Sequence, residues 1–295
     1  VRRYAFFPGC FIQVRLPHLE MVSRKVLEAL GIKLVDLEGF TCCPEAVTFS
    51  IDKMSWRVVA ARNLSLAEEE GLDLLTLCNG CLYTLRLVNE ELKGDEEIRM
   101  RVNEALSTID RGFKGAIKVK HVIEVLLEEI SLEGLNTRVE RPLTGLRVAC
   151  HTGCHILSPS DKMHFDDPYD PVILEEMVKA LGAEAVDYGL KSLCCGWTLP
   201  TYGSRGAAER LLGSKLESMK RSEADYIAVI CPQCFHQFDV GQASAARRVG
   251  LDFRLPVFYY LQLLALAMGF SLEEVGFRHH RVKTKAVEES LGVMR

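Results

Sequence analysis

Asp73-Leu-Leu-Thr-Leu-Cys-Asn-Gly-Cys81 and Asp225-Tyr-Ile-Ala-Val-Ile-Cys-Pro-Gln-Cys234 share one construction: a short apolar run that ends directly in C-x-x-C. Apolar runs of that length read as buried strands, and here the unit occurs twice in one chain. Reading outward, 34 residues separate the first C-x-x-C from the vicinal pair Cys42-Cys43, and 31 more separate that pair from Cys10. In the second half the intervals are 35 residues back to Cys194-Cys195 and 39 back to Cys154. Each half thus carries a single cysteine, a vicinal pair and a C-x-x-C in the same order. Only Cys150 falls outside the pattern.

The flanks repeat as well. A strand-like run, Arg3 to Phe7 or Arg147 to Cys150, leads to Gly9-Cys10 or Gly153-Cys154. An amphipathic helix follows in each half. The first shows Leu19, Val22, Val26 and Leu30 on one face, between Pro17 and Gly31. The second is expected to start at Asp170 and Pro171, as N-cap and first residue, and to stop at Gly182. Strands 32–36 and 183–188 come next, then the vicinal pairs. Long helices are expected over 53–70 and 207–222, and strand-to-helix segments over 117–127 and 255–265. Strands alternating with helices predict an α/β fold with a mainly parallel sheet flanked by helices in each half. The Pro/Gly turn at 142–145 places a boundary between domains 1–142 and 143–295.

Composition narrows the class. The chain has 295 residues, 48% hydrophobic and 26% charged, which is ordinary for a globular protein large enough for two cores. Its formal net charge is -4, with 36 basic and 40 acidic side chains, so no nucleic-acid partner is expected. The most apolar run, 257–270, is too short to span a bilayer. No secretory signal pattern opens the sequence, so the cytoplasm is the expected location and no direct membrane span is expected. Eleven cysteines, an odd number with two vicinal pairs, argue against a disulfide framework.

In open parallel sheets, functional residues gather beyond the carboxyl ends of the strands. The five thiols of each half can converge there. Zinc binds C-x-x-C pairs but closes a tetrahedron with four ligands, one fewer than each half offers. A thioredoxin-like dithiol leaves three cysteines per half unexplained. Iron–sulfur clusters use thiolates throughout and place several irons within reach of a vicinal pair. The spacing favours iron–sulfur and leaves zinc and redox dithiols open.

Thr41-Cys-Cys-Pro44, Ala61-Arg-Asn63, Leu77-Cys-Asn-Gly-Cys81, Cys150-His-Thr-Gly-Cys-His155, Cys231-Pro-Gln-Cys234 and Gln237-Phe-Asp239 resemble the B subunit of heterodisulfide reductase. That family carries the duplicated cysteine-rich CCG domain, and the resemblance runs over essentially the whole chain. It implies two Rossmann-like halves related by a pseudo-twofold axis, each holding a non-cubane four-iron cluster (4Fe–4S). Carried over residue by residue, Cys10, Cys42, Cys43, Cys78 and Cys81 would hold one. Cys154, Cys194, Cys195, Cys231 and Cys234 would hold the other. The implied reaction is reduction of a mixed disulfide, that of coenzyme M and coenzyme B, to two thiols between the clusters. The implied partners are a ferredoxin-like C subunit with cubane clusters and a flavin-containing A subunit. A hydrogenase or formate dehydrogenase would belong to the wider, electron-bifurcating complex of methanogenesis. One departure stands out: the glycine-rich run usual after Cys194-Cys-Gly196 is replaced by Trp197-Thr-Leu-Pro-Thr-Tyr-Gly203.

Releasing two thiols needs protons, and histidine is the natural donor near neutral pH. His155, beside Cys154, is the first candidate, with His151 and His236 next to other ligand positions. His18, eight residues past Cys10, is a more remote one. Arg15, Arg86, Lys191 and Arg205 lie near the motifs and could meet an anionic substrate. His279 and His280 are expected in a tail away from the site, and Cys150 as a buried strand thiol. Two further readings remain: a CCG subunit acting on a protein-borne thiol, a persulfide or another redox substrate, and a zinc-stabilised interaction subunit.

Overall fold

The computed structural model describes residues 2–283 and Val287; the outermost residues of the two expected domains otherwise lie outside it. The first half runs β1 (Arg3–Phe7), α1 (Cys10–Arg15), α2 (Pro17–Ala29), β2 (Lys33–Val35), α3 (Ala46–Ile51) and α4 (Lys53–Glu69). It continues through β3 (Leu74–Thr76), α5 (Asn79–Gly94), α6 (Glu96–Ser107), β4 (Val119–His121), α7 (Val122–Glu129) and α8 (Ser131–Asn136). The second half opens with β5 (Arg147–His151), α9 (Ser160–Met163), α10 (Ile173–Ala180), β6 (Glu184–Val186) and α11 (Arg205–Arg221). Then come β7 (Tyr226–Val229), α12 (Pro232–Asp239), α13 (Gln242–Val249), β8 (Val257–Tyr259) and α14 (Tyr260–Ala267).

The strands form two four-stranded sheets, ordered β2-β1-β3-β4 and β6-β5-β7-β8, with every pair parallel. The central strands are short and apolar because helices cover both faces: every residue of β3 and β7 is buried. In both sheets the strand order reverses between the first and third strands of the half, the place where an open α/β sheet leaves a crevice. Cys10 follows β1, and Cys78 and Cys81 follow β3. Cys154, Cys231 and Cys234 follow β5 and β7 in the same way.

The sheets are separate, but the buried apolar residues of both halves make one continuous core. The halves exchange helices to build it. From the second half α14 packs on α2, and from the first half α8, the helix after α7, packs on α10. Buried hydrogen bonds reinforce the join: the Tyr259 hydroxyl donates to the Leu77 carbonyl at 2.7 Å, just ahead of the first C-x-x-C. Among the described residues no helix is long and apolar enough to cross a membrane.

One expected boundary shifts. The helix expected from Asp170 and Pro171 begins at Ile173, because Asp166 takes the capping role. Its carboxylate accepts from the backbone N–H of Val172 at 2.8 Å and of Ile173 at 2.7 Å, leaving Asp170 to pair with Lys191.

Candidate functional site

The two C-x-x-C turns are built alike. Cys78 and Cys231 are the N-caps of α5 and α12, with φ/ψ of -123/125 and -126/128, so both chains leave the strand extended and enter the helix at once. Cys81 and Cys234 then lie in the first helical turn, beside its unpaired N–H groups. Three residues further on, the same helix face holds the vicinal-pair loop. Thr84 donates to the Pro44 carbonyl at 2.8 Å, and Gln237 donates to the Cys195 carbonyl at 3.2 Å.

The thiols of each half converge. Cys10 and Cys42 sulfurs are 3.3 Å apart, and Cys43 and Cys81 sulfurs 3.0 Å. In the second half Cys154 and Cys194 are 3.9 Å apart, and Cys195 and Cys234 3.4 Å. All eleven cysteines are free thiols. Protons are shared unevenly within the groups. Hydrogen bonds from Cys42 and Cys81 hold the Cys43 thiol well below its usual range. Those from Cys154 and Cys195 bring Cys194 down to about 2. Hydrogen bonding to Cys43 and to Cys195, with burial, pushes Cys81 and Cys234 up. Such sets of soft donors, unpaired with one another and crowded within a few ångströms, fit the ligation of iron–sulfur clusters.

The two groups meet in the middle of the molecule. The Cys78 and Cys231 thiols influence each other across the halves, Cys78 being held up and Cys231 down. Asn79, inside the first C-x-x-C, donates to the Thr152 carbonyl at 2.8 Å, and Gln233, inside the second, donates to the Glu45 carboxylate at 2.7 Å. Two cavities open here, one against each thiol group, and His155 and Gln233 line both. The His155 ring lies over Tyr83 with centroids 4.6 Å apart.

The other histidines have different surroundings. His151 is fully buried in β5, and burial pulls it down to about 3. It brings a ring nitrogen within 4.8 Å of the Cys195 and Cys234 sulfurs. His236 is half-buried against Phe11 and Trp197, with burial lowering its pKa. His18 turns away from the thiols, stacking on His279 and lying beside His280 and Phe235. The tail is therefore not remote in the way expected: His280 is buried and bonded to Gln262 at 2.9 Å. Cys150 is a buried β5 thiol, raised by burial.

Of the four cations near the motifs, two are committed elsewhere. Arg86 is paired with Glu124 at 2.5 Å and donates to the carbonyls of Val119 and Met163, tying the halves together. Lys191 is held by Asp170 and Glu175. Arg15 and Arg205 are exposed. In the altered loop, Trp197 packs edge-on against Phe11 and lines the second cavity, whereas Tyr202 is exposed. Asn79, Gln233, Glu45 and Tyr83 carry no sequence signal beyond their closeness to cysteines, since what places them is the contact between halves.

Comparison with known proteins finds one domain family twice in the chain. The cysteine-rich domain family (CCG) matches residues 4–86 and again 148–239. The B subunit of a ferredoxin/F(420)H(2)-dependent CoB-CoM heterodisulfide reductase from Methanosarcina acetivorans is 39% identical over 284 residues, covering 95% of this chain and 94% of its own. A protein of Archaeoglobus profundus, described as like the B subunit of heterodisulfide reductase, is 38% identical over 92% of this chain and 93% of its own. The membrane anchor subunit of the 8-methylmenaquinol:fumarate reductase of Wolinella succinogenes is 33% identical, covering 95% of this chain and 96% of its own. In fold, a crystal structure of a hypothetical protein from Helicobacter pylori superposes with a TM-score of 0.76 at 17% identity, over 96% of this chain and 52% of that one.

The tight approach to the C-x-x-C helices depends on Gly9 and Gly153, with φ of +79° and +84°. A Cβ on Gly153 would stand 2.8 Å from the Asn79 amide nitrogen, whereas Gly145, also at φ +84°, has nothing within 4 Å. Gly153→Ala should therefore cost about 2–4 kcal/mol, from backbone strain plus the lost Asn79 bond, and Gly145→Ala only about 1–2. Denaturant midpoints measure both, and equal losses would contradict the close approach.

Proposed function

The chain belongs to the family of heterodisulfide reductase B subunits, with the cysteine-rich domain present twice, and on that premise we propose that it is the catalytic iron–sulfur subunit of a disulfide reductase. The substrate is a small mixed disulfide, the coenzyme M–coenzyme B heterodisulfide, cleaved between two non-cubane four-iron clusters. The observation that carries this reading is the shared wall: two five-thiol groups, one per half, open onto cavities with His155 and Gln233 in common.

Cys10, Cys42, Cys43, Cys78 and Cys81 would hold one cluster and Cys154, Cys194, Cys195, Cys231 and Cys234 the other. When bound, the clusters would supply electrons and a Lewis-acidic iron on each side of the substrate. The overall reaction breaks one S–S bond, consumes two electrons and two protons, and yields two thiols. His155, on the common wall, donates a proton to a departing thiolate sulfur. Gln233, fixed by Glu45, orients the substrate between the halves. Phe11, on the wall of the first cavity, packs against Trp197, on the wall of the second, and the pair excludes water, which favours neutral thiol products over solvated thiolates. His151 lies too deep for substrate, near the Cys195 and Cys234 sulfurs, while His236 braces the aromatic pair. Electrons come from outside the chain, from a C subunit with cubane clusters fed by a flavin-containing A subunit. A hydrogenase or formate dehydrogenase stands behind these in a cytoplasmic complex.

The Wolinella relative supports a second reading, in which the same thiol architecture serves a different redox couple. Turnover assays with the heterodisulfide, and with reduced quinone analogue plus fumarate in the reconstituted complex, separate the two. Anaerobically prepared protein should contain about eight irons with matching acid-labile sulfide. Roughly two zincs and no sulfide would overturn the cluster reading in favour of a zinc-stabilised subunit.

His155→Gln should lower heterodisulfide turnover by about 10²–10⁴-fold with iron and sulfide unchanged. Unaltered turnover at full iron content would remove His155 from proton delivery, and lost iron would make it a support of the Cys154 ligand instead.

A further inference from the structure

Helices α4 and α11 are the same element of the repeat. Each has 17 residues, and each begins ten positions after the second cysteine of its vicinal pair. Their buried faces correspond: Trp56, Ala60, Leu64 and Ala67 in one, Ala208, Leu212, Leu216 and Met219 in the other. At the eleventh residue, fully buried in both, the halves differ in charge. The first has Asn63 and the second Lys215.

Both side chains hold the loop that presents the vicinal pair. Asn63 accepts from the Thr41 backbone N–H at 2.9 Å and donates to the Cys42 carbonyl at 3.4 Å. The Lys215 ammonium donates to the carbonyls of Leu190, Lys191 (3.2 Å) and Leu193 (2.6 Å), which lead into Cys194-Cys195. Its nitrogen lies 5.3 Å from the centre of the Tyr188 ring. Burial draws the ammonium down to about 8, while charge on Cys195, Cys234, Cys194 and Cys154 works to raise it. Its three acceptors are neutral carbonyls, so no carboxylate among them cancels its charge. The second thiol group therefore sits beside a desolvated cation, and the matching position in the first half offers only a neutral amide.

We propose that Lys215 is a positioning residue that makes the two halves electrically unequal, giving the second-half cluster the higher reduction potential. The proposal rests on the iron–sulfur reading above. Adding one electron to a cluster adds one negative charge and moves no proton. A fixed ammonium nearby stabilises that charge, and in a low-dielectric interior little solvent screens it. The second half is then where reducing equivalents settle first, and where the more basic of the two product thiolates is better accommodated.

The test is a potentiometric titration of the full chain, followed by electron paramagnetic resonance, with iron and sulfide measured on each sample. Cys43→Ala isolates the second cluster and Cys195→Ala the first. The second cluster should titrate at the higher potential. Lys215→Met, which keeps the aliphatic stem, and Lys215→Gln, which keeps a donor, should each shift its one-electron equilibrium by tenfold or more towards the oxidised form, about 59 mV. The first cluster should not move. Equal or reversed potentials in the two single-cluster proteins overturn the proposal, even where the Lys215 variants fail to fold. Full iron with an unshifted second cluster in those variants overturns it too. Absence of iron and sulfide from the unaltered protein overturns the cluster reading instead.

Discussion

Crowded sulfur is the constraint on which this molecule depends. Two thiolates at the 3.3 Å separation of Cys10 and Cys42 repel by about 5 kcal/mol at an effective dielectric constant of 20. A group of five cannot ionise together without positive charge close by. The architecture supplies some of that charge from the backbone. C-x-x-C occurs where a parallel strand gives way to a helix N-terminus, and both helices α5 and α12 begin at a cysteine. The remaining thiols arrive on the turns after β1 and β5 and on the vicinal-pair loops. That unmet negative charge suits these groups, on the proposed reading, to hold metal rather than to stand as inert thiols.

Duplication turns two such groups into one site. A single half would present its thiols at an open sheet edge. With helices exchanged between halves and Asn79, Gln233 and Tyr259 reaching across, the edges close on one another. His155 then serves cavities on both sides, although it belongs to only one half. The repeat is not an electrical duplicate, however. Asn63 and Lys215 do the same mechanical work on their loops with different charge, so chemistry that needs two unlike sulfurs to leave has an unlike environment for each.

Much of this was legible in the sequence because cysteine spacing and strand-to-helix alternation are local signals. The order of thiols fixed the repeat, and the apolar runs ending in Cys78 and Cys231 fixed which strand ends carry them. Less local features escaped. Asp166 displaced Asp170 as the helix cap because it reaches forward across a loop. Arg86 and Lys191 stand near cysteines in sequence but answer to Glu124, Asp170 and Glu175 in space. His18 and His280 come together only when the tail folds back. Lys215 reads as surface on composition, since lysine seldom is buried. Its signal was its place on the apolar stripe of Leu212, Leu216 and Met219, where a solvated lysine does not belong.

The central claim is that one substrate is worked from both sides, so neither half suffices. Heterodisulfide turnover by Cys43→Ala and by Cys195→Ala, with iron measured on the same samples, tests it most directly. Each variant should keep about half the iron and lose turnover, because the surviving cluster faces a substrate with no partner opposite. Full turnover by either protein with one cluster gone would contradict the account.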